Sequence, residues 1–399
     1  MLNDDCLLHI FSFLSTRERI RLSFMNERFK QLFKITNIHK KSVSLSNLTL
    51  MEVRYICREF GQLIQDINFE WSSDLHTYRV CKYVASYCCE LRSLKYTNLS
   101  IGEDINFRFM KHLTKITLRN CNISDTVIFH LSKMQNLTHL DVKENSRLTG
   151  RHLNDFPELT YLNLYKCTGI KKAHFFAFCA SKRIIENLKS LNLTIFGLRS
   201  YFFEKLDFLK NLERLVVTSS IDFGLLSDIK KLKHLIINVE TTRRQIHHFP
   251  EKCFTGLETL FIIEMDINVV ATDINHIFLL KNLKKLGLIR CYNLEDEHMA
   301  KIAAMPELTY LDISGCNIHF NGFLELFKKP NKLQYVNISQ AGFPRIFMPL
   351  LFPRVRPFLE VVREKMVETG RTAHCTLYFN GEVLKVKNID IESSLYPCH

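Results

Sequence analysis

One pattern recurs along most of the chain. Leu113-Thr-Lys-Ile116-Thr-Leu118, Leu137-Thr-His-Leu140-Asp-Val142 and Leu159-Thr-Tyr-Leu162-Asn-Leu164 all read Leu-x-x-Leu-x-Leu. It returns at Leu188/Leu191/Leu193, Leu212/Leu215/Val217, Leu232/Leu235/Ile237, Leu257/Leu260/Ile262, Leu283/Leu286/Leu288, Leu308/Leu311/Ile313 and Leu333/Val336/Ile338. Upstream it is kept by Leu91/Leu94/Tyr96, more weakly by Ile64/Ile67/Phe69, and in part by Val43/Leu45. From Leu91 to Leu333 the steps average about 24 residues and range from about 20 to about 29. Two apolar residues separated by a polar one make a short strand with one buried face. Repeating it at this period stacks parallel strands, and the intervening residues return outside as helices or irregular turns. No repeat hides its leucines alone; stacking creates the core. The chain's 399 residues would otherwise suggest roughly two or three globular domains. The repeat predicts instead an α/β solenoid of about 11–13 repeats over residues 41–343, with short parallel strands on its concave face.

Cys121-Asn-Ile123-Ser-Asp125, Cys167-Thr-Gly-Ile170, Cys291-Tyr-Asn-Leu294-Glu-Asp296 and Cys316-Asn-Ile318 follow their strands at one offset. This resembles the cysteine-containing subtype of leucine-rich repeat. A small apolar side chain fits the tight turn there. One Cys per repeat is not metal-ligand spacing. The thirteen Cys are read as reduced thiols of a cytoplasmic or nuclear protein, because Asp4 and Asp5 stand where a secretory signal would be basic. No apolar run reaches the roughly 18 residues of a membrane span, so no membrane association is expected.

Residues 1–40 break the pattern. Leu2-Asn-Asp-Asp-Cys-Leu7-Leu8-His-Ile10-Phe11-Ser-Phe13-Leu14 reads as a short apolar helix. Ser15-Thr-Arg-Glu18 has the form of a capping box opening a second helix through Ile20, Leu22, Phe24 and Met25. A third short helix holds Arg28-Phe29 and Leu32-Phe33. Three such helices are too small to build their own core and must bury their leucines elsewhere. The segment resembles the F-box, a helical motif that docks onto a Skp-family adaptor. The resemblance runs from Leu2 to about Leu32: Leu-x-x-x-x-Leu-Leu, then Ile-Phe-Ser-x-Leu, then Arg-Phe. Asn3 stands at the family's early Pro and Asn26 at its usual Cys. The resemblance implies Leu2, Leu7, Leu8, Ile10, Phe11, Leu14 and Phe29 as adaptor-binding residues. The competing reading is an N-terminal cap over the first repeat.

Side chains flanking the last two apolar positions of each repeat project from the concave face. Lys95, Lys115, Arg119, His139 and Lys143 form a basic group around Asp141, followed by Tyr161, Asn163 and Tyr165. That group is either a solvated face or a dock for an acidic or phosphorylated target segment. Val216, Ile236, Phe261, Ile263 and Ile289 are apolar where such a face is normally wet. They mark either a partner site or the seat of the C-terminal tail. In that tail, residues 344–399, Pro344, Pro349, Pro353 and Pro357 end the repeats. A helix is expected from Pro357 to Thr369, closed by Gly370. Cys375–Phe379, Asn380-Gly381 and Glu382–Val386 then read as a hairpin with a type I′ turn, capping the last repeat.

The net charge of +13 favours acidic partners. It is spread along the chain without an aromatic-interleaved basic cluster, so nucleic acid is not expected. Gly-x-Ser-x-Gly, the P-loop, Gly-x-Gly-x-x-Gly and His-Glu-x-x-His are all missing from the sequence. His247-His248 and Cys88-Cys89 are adjacent potential ligands, but neither has a second pair at ligand spacing. Trp71 is read as packing. The expectation is a non-enzymatic, cofactor-free and metal-free chain. An F-box followed by leucine-rich repeats resembles the substrate receptor of a Skp–cullin–F-box ubiquitin ligase, with the adaptor, a cullin and a target protein as partners. The alternative is an adaptor-independent interaction scaffold.

Overall fold

The computed structural model describes residues 3–38, 41–70, 77–101, 107–194, 205–218, 226, 229–238, 254–263, 272–291, 294–328, 331–339, 364, 375–379, 382–386 and 391–394. Leu2, Trp71, His247, His248, the four tail prolines and Gly370 lie outside them, as does the expected Pro357–Thr369 helix apart from Glu364, which is helical. Two compact units, residues 1–194 and 195–399, are described in turn.

The first unit opens with three helices, α1 (Asp4–Phe13), α2 (Thr16–Ser23) and α3 (Glu27–Ile38). Seven strands follow: β1 (Ser42–Ser44), β2 (Asp66–Glu70), β3 (Ser93–Thr97), β4 (Lys115–Arg119), β5 (His139–Asp141), β6 (Tyr161–Leu164) and β7 (Ser190–Thr194). Each pairs in parallel with the next. Helices α4 (Leu50–Phe60), α5 (Thr77–Tyr87), α6 (Asp125–Leu131), α7 (Lys172–Ala180) and α8 (Lys182–Asn187) lie between them in the chain. The register aligns the repeat's second leucine from strand to strand: Ile116, Leu140, Leu162 and Leu191 are direct partners. All four are buried, while Lys115 and His139 on the other face are exposed. Period-two patterning therefore became a one-sided sheet, as a half-buried strand requires. The fold class is α/β, a leucine-rich-repeat stack.

The turn leaving each strand explains the rest of the repeat. Asn98, Asn120, Glu144 and Lys166 are left-handed, with φ of 57°, 50°, 64° and 56°, each two residues past the strand's last apolar position. One residue later comes Leu99, Cys121, Asn145 or Cys167, all buried. The Cys121 thiol donates to the Tyr96 carbonyl at 3.6 Å and the Cys167 thiol to the Val142 carbonyl at 3.1 Å, in each case one repeat back. Burial pushes both thiols up to about 12, so they stay protonated donors. Asn145 does more than a thiol can. Its Nδ2 donates to Leu118 O and Val142 O, each at 2.7 Å, and its Oδ1 accepts from the backbone of Cys121 at 2.9 Å and Ile123 at 3.3 Å. Asn145 was not anticipated, although it sits three residues after Val142, at the offset of the cysteines.

The second unit contains β8 (Arg214–Thr218), β9 (His234–Asn238), β10 (Thr259–Ile263), β11 (Lys285–Ile289), β12 (Tyr310–Asp312) and β13 (Tyr335–Asn337), again parallel from neighbour to neighbour. Cys291 and Cys316 repeat the thiol contact, to Ile262 O at 3.8 Å and Leu288 O at 2.8 Å. Gly315 takes the left-handed position at φ 73°. A Cβ there would lie 2.7 Å from Arg290 Cγ, so Gly fits both the conformation and the space. The tail hairpin forms in the expected register, with β14 (Cys375–Phe379) against β15 (Glu382–Val386) and Phe379 opposite Glu382. Its two turn residues, Asn380 and Gly381, lie outside the described set. Two features are new: β14 continues the parallel sheet beside β13, and β16 (Ile391–Ser394) pairs antiparallel with β15. The segment Ile391-Glu-Ser-Ser carries little strand signal of its own; the edge of β15 supplies the partner.

Candidate functional site

The N-terminal helices are well capped. Asn3 Oδ1 accepts from Cys6 N and Asn26 Oδ1 from Phe29 N, both at 2.9 Å. These are the positions where the sequence departs from the F-box pattern, and at both the Asn side chain satisfies a helix-start amide. Ser15 and Glu18 form the expected capping box. Helix α2 stops at Ser23, so Phe24 and Met25, expected inside it, lie beyond its end.

Two of the three helices are fixed to the first repeat. Arg21 Nε lies 3.1 Å from Glu52 Oε1 on α4, and Tyr55 Oη donates to Ser23 O at 3.2 Å. Phe24 meets Tyr55 with ring centroids 4.2 Å apart, and Phe33 meets Phe60 at 4.8 Å. Lys30 Nζ reaches Glu59 at 2.7 Å. Burial alone would raise the Glu52 carboxyl, but the Thr49 amide, Arg21, the Thr49 hydroxyl and Arg17 outweigh it and hold the group below its ordinary 4.5. A depressed carboxyl contributes stability that is complete above pH 4.5 and lost as pH falls through the lower folded value. Acidification below 4.5 is therefore expected to loosen the α2–α4 junction. Hydrogen-exchange protection of α2 checks this, and Glu52→Gln removes the acid-dependent step.

Helix α1 is held differently. Phe11 is 1% exposed and stacks on Phe29, with centroids 6.0 Å apart, while Arg28 pairs with Asp4 at 2.7 Å. Phe11 is thus an interior side chain of the helical motif rather than part of its surface, because it points at the start of α3. Phe29, Leu7, Leu8 and Leu14 are half-buried. Ile10 is 44% and Phe13 77% exposed. Phe13 is not among the expected adaptor-binding residues, although α1 carries apolar residues around more of its circumference than one packing face needs. Truncating Phe11→Ala should cost about 3–5 kcal/mol locally. Loss of exchange protection in α1, with β4 to β6 unchanged, would show it.

The open face of the first unit is partly self-compensated. Arg119 turns to Glu144, with Nε–Oε2 at 3.2 Å and Nη2–Oε1 at 3.3 Å. Asp141 accepts from Lys143 N at 3.2 Å, and Asn163 from Tyr165 N at 3.0 Å, closing the turns after β5 and β6. His139 stacks on Tyr161 at 5.6 Å, and burial together with Lys115 lowers its pKa, leaving a neutral ring at pH 7. Lys166 lies over the Tyr165 ring. Of the basic group, Lys95 and Lys115 are exposed, and Lys143 is half-buried.

In the second unit Ile236, Phe261, Ile263 and Ile289 do share the open face, all half-buried. The Phe261 ring lies against Gly287, where a Cβ would be 2.2 Å from it. Its ring centroid is 5.9 Å from that of Tyr310, which stacks on Tyr335 at 4.5 Å and 3°. Asp312 accepts from Ser314 N and from Asn337 Nδ2, both at 3.0 Å. Burial, with Asp312 nearby, pushes the Tyr310 hydroxyl up to about 12. Arg214, Lys285, Tyr310 and Tyr335 belong to this face and were not anticipated, though the same alternation places them one position before the repeat's second leucine.

Residues 1–41 match the F-box domain. That domain implies an adaptor role in a ubiquitin ligase. No curated protein sequence matches the chain. Among solved structures the chain is similar to the TLR13–ssRNA13 complex, with a TM-score of 0.47 and 20% identity over 75% of this chain and 47% of that one. It therefore spans about half the length of that relative. It is also similar to the Rad7 and Elc1 complex of yeast (TM-score 0.47, 15% identity, covering 85% of this chain and 80% of that one). Internalin C2 of Listeria monocytogenes gives a TM-score of 0.33 at 14% identity, with coverages of 58% and 83%. Among the described residues, no helix is long and apolar enough to cross a membrane.

Proposed function

We propose that the chain is the substrate-recognition subunit of a Skp–cullin–F-box ubiquitin ligase. The observation that carries this reading is the F-box match over residues 1–41, on which α1 keeps Ile10 and Phe13 in solvent although α2 and α3 have settled on α4. A cap would have spent its apolar side chains on the repeat below. Here the repeat is covered by α2 and α3, and α1 has apolar surface left for another polypeptide. In this reading the chain supplies no catalytic group. The Arg21–Glu52 and Phe33–Phe60 contacts fix the F-box on the first repeat, so that an adaptor held by α1 has a set orientation to β1–β7. A target protein on the open sheet face is then presented by proximity and orientation.

Affinity capture of the wild-type chain beside an Ile10→Asp/Phe13→Asp form tests the proposal. Skp-family adaptor and cullin should vanish together from the variant while other partners persist. A wild-type capture that holds other partners but neither adaptor nor cullin favours the adaptor-independent scaffold instead, and equal recovery of the adaptor by both forms removes the docking role of Ile10 and Phe13.

A further inference from the structure

The face of the second unit carries a more specific chemistry than that of the first. On β8–β11 the outward residues run in lanes set by the register. Arg214, His234, Thr259 and Lys285 are successive partners in one lane, and Val216, Ile236, Phe261 and Gly287 in the next. Ile263 and Ile289 lie beyond. Neighbouring strands place these side chains about 5 Å apart. None of the four strands contains Asp or Glu. On the other side of the cationic lane the charges cancel: Lys233 pairs with Glu213 at 3.6 Å and Lys284 with Glu258 at 2.8 Å. Arg214 and Lys285 form no ion pair among the described residues. Two uncompensated cations thus stand at the two ends of one lane, along the edge of an apolar floor in which Gly287 leaves room for the Phe261 ring.

We infer that the open face of β8–β11 binds a peptide segment of the target in which carboxylates alternate with large apolar side chains, the carboxylates meeting Arg214 and Lys285 and the apolar groups resting on Ile236, Phe261, Ile263 and Ile289. This deepens the receptor reading and rests on it for the word target. Charge complementarity selects the occupant: a basic segment would meet two like charges, and a purely acidic one would leave the floor uncovered. The face of β4–β6 lacks this combination, because Arg119 is held by Glu144 and Asp141 sits among its lysines.

The test is selection of phage-displayed random peptides on the immobilised full chain, run in parallel on Arg214→Glu/Lys285→Glu. Both positions are on the sheet surface, and circular dichroism checks that the variant is folded. The wild type should enrich peptides combining Asp or Glu with Leu, Ile, Phe or Met. A synthetic peptide of the enriched sequence should bind the variant about tenfold or more weakly, and the variant should not enrich acidic residues. No enrichment, enrichment without the acidic bias, or the same peptides from both forms would overturn the inference. So would displacement of the synthetic peptide by a single-stranded RNA oligonucleotide at equal concentration, which would mark a general polyanion surface. Adaptor binding measured on the same preparation separates the two levels. Intact adaptor binding with failed peptide selection removes this inference alone, whereas successful selection without adaptor binding removes the receptor reading.

Discussion

Asn145→Leu is expected to destabilise the first unit by on the order of 3–5 kcal/mol, more than loss of any single repeat cysteine. Asn145 is buried and serves five backbone groups in two successive repeats: the amides of Cys121 and Ile123 and the carbonyls of Leu118, Val142 and Lys143. Leucine matches its size but leaves the Cys121 and Ile123 amides and the Leu118 carbonyl without these partners in a dry core. Val142 O keeps the Cys167 thiol and Lys143 O the Asn120 amide. Each orphaned group costs about 1–3 kcal/mol. Asn145→Cys, the residue that neighbouring repeats use, should recover part of the loss through a thiol donor but cannot replace the Oδ1 acceptor. Urea unfolding of the full chain measures the total. Exchange of the Cys121 and Ile123 amides localises it: both should lose protection in the leucine variant first. An unfolding midpoint equal to wild type would show that the turn ladder contributes nothing.

Ile10→Asp/Phe13→Asp should weaken binding to a purified Skp-family adaptor by about 100-fold or more. Each apolar anchor in an interface core is worth roughly 1–3 kcal/mol, and a carboxylate in its place adds the cost of burying an unpaired charge. Both side chains face solvent in the free chain, so the substitution spares the helical motif and its contacts with α4. Phe11→Ala gives a different signature. It weakens the attachment of α1 to α3, so any loss of adaptor affinity should come with lost helix protection. Isothermal titration calorimetry with each variant distinguishes surface from scaffold, and undiminished affinity of the double aspartate form would refute the docking role of α1.

The repeat was legible because its signal is redundant. Leu-x-x-Leu-x-Leu states both the strand and its buried face, and its recurrence states the parallel stacking that Ile116, Leu140, Leu162 and Leu191 display. The capping box at Ser15 and the hairpin register of Phe379 with Glu382 were legible for the same reason, since each depends on residues close in the chain. What escaped depends on partners far apart in sequence. Phe11 and Phe13 are equally apolar, and only the position of α3 decides which is covered. Arg119 reads as a free cation until the turn of the next repeat brings Glu144 to it, 25 residues away. Asn145 shares the offset of the cysteines, but a polar side chain there reads as solvated until the two successive turns that it joins are placed side by side. The stack of Tyr310 on Tyr335 likewise requires register, which no single repeat contains.

Helix α1 is proposed to present an adaptor-binding surface. Size-exclusion chromatography of the full chain co-expressed with a Skp-family adaptor addresses it most directly. A single co-eluting complex at equal stoichiometry that also takes up a cullin is the expected result. A chain that elutes free of the adaptor, with Ile10 and Phe13 still open to solvent, would contradict it.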